Sequence, residues 1–298
     1  MSVASPNGAA AVLALLRPKQ WTKNGLLIAA LVFSGHFLNP SDIARAFLGI
    51  AAFCMLSSAG YVLNDWLDVE ADRNHPKKRF RPIASGAVSS GAAFAVMGGL
   101  LLGGAALSWS LSPLFFLCAM GYLATTLSYS LYFKHLVILD VMFLSGCYVW
   151  RGIAGAVAIN VLVSPWMLLC TAFFALFLGF HKRRAELVQL GDGGGTRKNL
   201  AEYSPAMLDQ FQAIVTSGTV LSYALYSALG QSGWMMLTMP YVLYGVFRYI
   251  YLVDQKGEGG APDETFLKDR PILATVFLFL LTAGAVIAAE HRLVGQTP

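Results

Sequence analysis

With 298 residues, 56% hydrophobic and only 12% charged, the chain departs from soluble domains, where about a quarter of residues carry charge. Its mean hydropathy of +0.60 and its recurring apolar runs, near the roughly 18–20 residues that cross a bilayer, exclude a soluble enzyme or a sizeable soluble domain. A net charge of +5 suits a face that meets anionic lipid heads or phosphorylated substrates, and no nucleic-acid partner is expected.

In chain order, Met1–Ala14 lacks a basic n-region and a convincing cleavage site, so no removable signal peptide is expected. Residues 7–16 read as a short interfacial helix. Apolar spans are expected near 23–39, 42–63, 90–109, 113–132, 137–158, 165–181, 206–229, 234–253 and 271–289. The fold class is therefore all-α: one nine-helix transmembrane bundle over 23–289, with a cytoplasmic or interfacial segment at 1–22 and a short tail at 290–298. Pro40, Pro113, Pro165, Pro240 and Pro271 fall at or near span starts, where a missing N–H costs little. Cys54, Cys118, Cys147 and Cys170 lie in apolar stretches without CxxC or Cys/His spacing. They are expected as small core residues, with no zinc or disulfide framework.

The connections alternate. Links near 39–42, 109–113, 159–165 and 230–233 are short and nearly free of charge, whereas those near 64–89, 133–136, 182–205 and 254–270 hold most of the Lys and Arg. Among the 21 Lys and Arg and 16 Asp and Glu, only Asp42, Arg45, Glu290 and Arg292 clearly belong to the quiet side. The positive-inside rule makes the charged side cytoplasmic, Arg17, Lys19 and Lys23 included, in a multi-pass protein of the cell membrane. Basic loops set orientation alone; acids contribute little to topology and need another reason.

The acids concentrate where the second span ends. Asp65, Asp68, Glu70 and Asp72 fall within eight residues, and Arg73, Lys77, Lys78, Arg79 and Arg81 follow within nine. Helical spacing of four sets Asn64, Asp68 and Asp72 on one stripe with Asp65 beside it. Like charges so close need a cation among them, and Mg²⁺ takes a few carboxylates and completes its shell with phosphate oxygens. The basic run offers partners for further phosphates. Acids for a metal and bases for an anion describe a diphosphate site; Glu70 lies off the stripe, available to a nearby base.

Three further groups share the charged side. Tyr129-Ser130-Leu131-Tyr132-Phe133-Lys134-His135 follows the fourth span; its tyrosines read equally as interfacial belt residues, while Lys134 stands as a cation beside a phosphate site. Asp140 would orient Lys134 or reach the metal. His181-Lys182-Arg183-Arg184-Ala185-Glu186 ends the sixth span, as membrane-flank anchors or phosphate ligands, with Glu186 to order the bases or bind metal. Gly191–Gly195 reads as a flexible loop without the GxxxxGK[ST] pattern of a phosphate loop. Lys256–Arg270, with Asp263, Glu264, Asp269 and Arg270, is either a solvated linker or a lid. Arg151, deep in the fifth span, faces a cavity or a partner; it touches a lipid phosphate or joins two helices. His75, His135 and His181 form no ligand pair and are expected at the surface.

The segment Asn64-Asp65-x-x-Asp68-x-x-x-Asp72 resembles the first signature of the UbiA superfamily of intramembrane prenyltransferases, and Tyr129-Ser130…Lys134 resembles their second region. Arg17–Asn24, Asp68–Arg73 with His75-Pro76, Lys78–Ala84, Arg151–Gly155, Lys182–Leu187 and Asp269-Arg270 resemble one branch of it. That branch moves phosphoribose from 5-phosphoribosyl-1-diphosphate to decaprenyl phosphate, toward cell-wall arabinan precursors. The resemblance implies a nine-helix bundle with a lipid-accessible cavity capped on the cytoplasmic side, in a form compatible with a homo-oligomer. It implies Mg²⁺ held by Asn64, Asp65, Asp68 and Asp72, with Asp68, Asp72 and Lys134 catalytic. Substrate binding is expected from Lys19, Lys23, Asn24, Arg73, Lys77, Arg79 and Arg81, together with Tyr129, Lys134 and Arg151. Lys182, Arg183, Glu186, Asp269 and Arg270 complete that set. One departure matters: prenyltransferases of this superfamily usually carry a second Asp-rich motif after the sixth span, where this chain is basic with one acid. A donor with an extra phosphate wants bases there. Two other readings stand beside it. One is a conventional prenyltransferase using a prenyl diphosphate; the other is a transporter of phosphorylated lipid, for which no pair of interrupted helices is visible.

Overall fold

The structure, a computed structural model, describes residues 8–76, 78–190, 200, 202–229, 233–260 and 262–294, without the side chains of 189, 190, 263, 264 and 291–294. Lys77 and the Gly191–Gly195 loop lie outside the described residues. The regular structure of the described residues is all helical, with turns and 3₁₀ segments between α1 (Gly8–Leu16), α2 (Leu27–Phe33), α3 (Pro40–Leu67), α4 (Val69–Arg73), α5 (Ser90–Leu111), α6 (Pro113–Leu131), α7 (Leu139–Ala158), α8 (Pro165–Leu190), α9 (Pro205–Leu229), α10 (Met239–Lys256), α11 (Pro262–Lys268) and α12 (Arg270–Val294).

The helix starts follow from sequence chemistry. Asn39, Ser89 and Ser112 each place a side-chain oxygen on an orphan amide of α3, α5 and α6. The expected prolines lie in the first turns of α3, α6, α8, α10 and α12. Two large apolar cores result among the described residues, with two smaller clusters beside them. Leu27, Phe53, Leu56, Phe115, Tyr122 and Ala154 join α2, α3, α6 and α7. Phe177, Leu208, Val215, Tyr249 and Ile272 join α8, α9, α10 and α12. At Gly155 a Cβ would stand 2.4 Å from the carbonyl oxygen of Leu27, so only glycine lets α7 and α2 approach this closely.

Seven of the described helices are long and apolar enough to cross a membrane: Pro40–Leu67, Ser90–Leu111, Pro113–Leu131, Leu139–Ala158, Pro165–Val188, Gly233–Lys256 and Arg270–Glu290. Two of the nine expected spans differ. The first is not one helix: a 3₁₀ segment Pro18–Leu26 leads into the seven-residue α2, and Gly35, at φ 77, ends that stretch before another 3₁₀ turn. Its polar half is tied sideways to α3, Trp21 Nε1 donating to Ser58 Oγ at 3.0 Å and Asn24 Nδ2 to Cys54 Sγ at 3.2 Å. The other, at 206–229, is helical as expected, as α9, but is not among these seven.

Ion pairs gather one set of helix ends. Arg183 reaches from α8 to Asp140 at the start of α7, and Arg184 bridges Asp209 of α9 and Asp254 of α10. At the other pole Arg45 of α3 donates to the carbonyls of Ala158 (2.6 Å) and Leu111 (3.3 Å), supplying donors to the last carbonyls of α7 and α5.

Candidate active site at the charged pole

α3 carries the acids out of the apolar core and pauses at Asp68 before α4. The expected stripe therefore resolves into two pairs. Asn64 Nδ2 donates to Asp68 Oδ2 at 3.2 Å, and Lys134 Nζ lies 2.7 Å from Asp68 Oδ1. Asp65 and Asp72, 1% and 2% exposed, share Arg81, whose Nη1 stands 3.1 Å from Asp65 Oδ1 and 2.6 Å from Asp72 Oδ2. Arg17 forms a second ion pair with Asp65 and lies over the Tyr61 ring. Three cations from three separate segments thus converge on three acids from one.

These side chains fit a bound Mg²⁺ in a particular way. Among the described residues no three His, Cys, Asp or Glu side chains form a metal-holding group, so an all-protein cage is not built. Mg²⁺ needs only one or two carboxylates when phosphate and water complete its shell. Asp65 Oδ2 is buried without a hydrogen-bond partner, which leaves one oxygen donor in a set that is otherwise oxygen-rich.

The 3₁₀ segment extends the site inward. Behind Arg17, Asn24 Oδ1 accepts from Arg151 Nε at 2.8 Å; Arg151 also donates to Tyr122 Oη and the carbonyl of Cys147, each at 3.0 Å. Arg151, buried among these groups and over the Tyr122 and Tyr148 rings, joins the 3₁₀ segment, α6 and α7. These bonds join helices, one of its two expected roles. Lys23, one residue before Asn24, lines a largely apolar cavity of about 460 Å³ with Phe174, Tyr223, Val246 and Phe279. Phe266, in the segment read as linker or lid, lines it too and stacks on Tyr249 at 5.3 Å.

The other expected residues are distributed around the pole. Arg183, 2% exposed, lies between Asp140 (2.7 Å) and Glu186 (2.6 Å), with Tyr129 close enough to influence it and Lys182 4.0 Å from Glu186. Both acids there are engaged by bases, and Asp140 meets Arg183 and Tyr203 as well as its own helix's amide at Val141. Arg73 pairs with Glu70 at 2.8 Å, Arg79 lies over Phe80, and Lys19 is exposed. Asp269 and Arg270 are not brought to the acids. Arg248 takes Asp269 at 2.8 Å and holds its carboxyl below the usual carboxylate range, while Arg270 is exposed. His181 is a correction: expected at the surface, it is 2% exposed, its Nδ1 2.8 Å from the Phe177 carbonyl and its ring beside Tyr249. Phe177 and Tyr249 pack against its ring and cover it. Sequence reading gave Arg17 no part in the acid cluster and left out Tyr203 and Arg248; a flanking cation or a loop tyrosine carries no local signal of a partner tens of residues away.

A family model described as the UbiA prenyltransferase family matches residues 25–268. The chain belongs to that family. A decaprenyl-phosphate phosphoribosyltransferase of Corynebacterium glutamicum is 35% identical over 294 residues, 94% of this chain and 88% of the relative. One of Mycobacterium tuberculosis is 35% identical over 290 residues, 95% of this chain and 96% of the relative. These relatives are transferases, and this UbiA-family chain is an enzyme of that class. The fold is that of a UbiA homolog from Archaeoglobus fulgidus solved with GPP and Mg²⁺: TM-score 0.72, 19% identity, covering 93% of this chain and 99% of that one.

Proposed function

We propose that the enzyme transfers 5-phosphoribose from 5-phosphoribosyl-1-diphosphate to a polyprenyl phosphate such as decaprenyl phosphate, releasing diphosphate at the cytoplasmic face of the cell membrane. The observation that carries this reading is the match, over 94–95% of the chain, to enzymes of that name. The chemistry in the last turns of α8 is in keeping with it, since Asp140 of α7 and Glu186 are engaged by Arg183 where a second metal-bound diphosphate would need carboxylates.

In this reading Asn64, Asp65, Asp68 and Asp72 hold Mg²⁺ with the donor diphosphate. When bound, the ion supplies positive charge that favours departure of diphosphate. Lys134, already beside Asp68, places a fixed cation at the same oxygens. Arg81, Arg79, Lys77, Lys182 and Arg183 are the candidates for the remaining phosphates, with Arg81 exchanging carboxylate for phosphate oxygen as the donor enters. The C1–O bond to diphosphate breaks through an oxocarbenium-like state, and a lipid phosphate oxygen forms the new bond to C1 from the opposite side, with inversion. That oxygen is ionised at neutral pH, so no general base is required. Lys23 sits where a lipid phosphate would stand if the polyprenyl chain fills the 460 Å³ cavity.

The alternative is transfer of a prenyl group from its diphosphate, which the GPP bound in the solved homolog favours. Incubating the purified protein and Mg²⁺ with decaprenyl phosphate and phosphoribosyl diphosphate labelled in the ribose separates the two. Label in the lipid fraction is the expected result. Absence of label there, with transfer from a labelled prenyl diphosphate to an acceptor, would replace this reading by the other.

A further inference from the structure

The link carrying Lys134 closes on an uncommon turn. Ile138 has φ 69 and ψ −52, a region that β-branched residues rarely enter. The Leu139 amide donates to the Val137 carbonyl at 2.8 Å, a three-residue turn of the strained hand. Such backbone persists only where its surroundings over-determine it.

What holds it comes from far along the chain. The hydroxyl of Tyr203, 3% exposed in the segment before α9, accepts from the Ile138 N–H at 2.7 Å and donates to Asp140 Oδ1 at 2.8 Å. Asp140, fully buried, is fixed at its other oxygen by Arg183 Nε at 2.7 Å. Burial pushes the Tyr203 phenol above its ordinary range, so the group stays a neutral O–H able to donate and accept at once. On the near side of the turn there is little slack. Lys134 sits in the 3₁₀ turn Phe133–His135, Leu136 N donates to the Phe133 carbonyl at 3.1 Å, and Phe133 stacks on Phe143 of α7 at 3.6 Å. Relaxing Ile138 to negative φ would redirect the chain between α7 and Lys134.

We infer that Tyr203 is a positioning residue: by holding Ile138 in its left-handed turn it sets the place of Lys134 against Asp68. The inference rests on the proposed role of Lys134 at the departing diphosphate. The Tyr203 hydroxyl bonds Ile138 N and Asp140 Oδ1, not Asp65, Asp68 or Asp72, so it reaches the acids through the turn.

The test uses the full chain, purified, with Tyr203→Phe, Ile138→Gly and the double variant, and measures phosphoribosyl transfer. Tyr203→Phe is expected to lower kcat roughly tenfold to hundredfold, the scale set by one strained turn. KM for the donor should stay within about twofold, as for an interaction made in the transition state. Ile138→Gly alone should be near wild type, and the double variant should recover most of the lost kcat, because glycine takes positive φ without steric cost. A general loss of stability would not be relieved by adding glycine. Wild-type kcat in Tyr203→Phe, or a double variant no better than Tyr203→Phe, overturns the inference. If the wild-type protein moves no phosphoribose, the functional reading fails, and hydrogen exchange at the bonded amides of His135, Leu136 and Leu139 tests the turn by itself. Those amides should exchange faster in Tyr203→Phe and regain protection in the double variant; unchanged exchange in Tyr203→Phe overturns the positioning claim.

Discussion

Asp65 and Asp68 sit three residues apart, yet their surroundings assign them different work. Asp65 is 1% exposed between two arginines that are themselves about a quarter exposed. Removing its charge leaves Arg17 without its carboxylate and Arg81 with Asp72 alone. Breaking such a pair costs about 2–4 kcal/mol, below the fully buried case because water reaches the arginines. Asp65→Asn is therefore expected to lower the thermal unfolding midpoint without substrate or metal present. Asp68 lies at the helix break, half-buried and facing Lys134. Asp68→Asn should unfold near the wild-type temperature while turnover falls by about a hundredfold or more, as loss of a preorganised charge does. Near-normal turnover in Asp68→Asn would remove it from the site.

At the scale of elements, the charged pole depends on how closely helices approach. Gly155→Ala would push α7 against the α2 backbone, an overpacking worth about 1–3 kcal/mol, and α7 carries both Arg151 and Asp140. The variant is expected to unfold earlier, and its transfer activity should decline with its stability; an unchanged midpoint would mean that α2 moves freely. Much of this level was legible beforehand. Proline at helix starts, four-residue spacing of the acids and the basic group that closes the sixth span are local signals, and the structure places helices accordingly. Other features were not legible because they arise from packing. Arg17 meets Asp65 from 48 residues away, Arg183 meets Asp140 from 43, and Tyr203 meets Ile138 from 65. The broken first span escaped notice for a related reason. Its apolar count suited a single helix, while the bonds from Trp21 and Asn24 to α3 hold its first half in 3₁₀ form.

For the whole molecule, polarity is the organising fact. Acids and bases collect at one pole, apolar helices run from it, and the 3₁₀ segment Pro18–Leu26 connects the Arg17–Asp65 pair to Arg151 and to the cavity wall at Lys23. A water-soluble donor at that pole and a lipid acceptor in the cavity would meet along this segment. The positive-inside rule predicts a cytoplasmic charged pole: a cysteine placed at Ser85 should react with an impermeant thiol reagent only after cells are opened, and one at Leu162 should react in intact cells. The reverse pattern would put the charged pole outside. The most direct measurement is thermal unfolding of the purified protein in Mg²⁺ with either phosphoribosyl diphosphate or a prenyl diphosphate, for wild type and Asp72→Asn. Stabilisation of the wild type by phosphoribosyl diphosphate, lost in Asp72→Asn, is the expected result; stabilisation by the prenyl diphosphate alone, or equal stabilisation of both proteins, would contradict a phosphoribosyl diphosphate site at these acids.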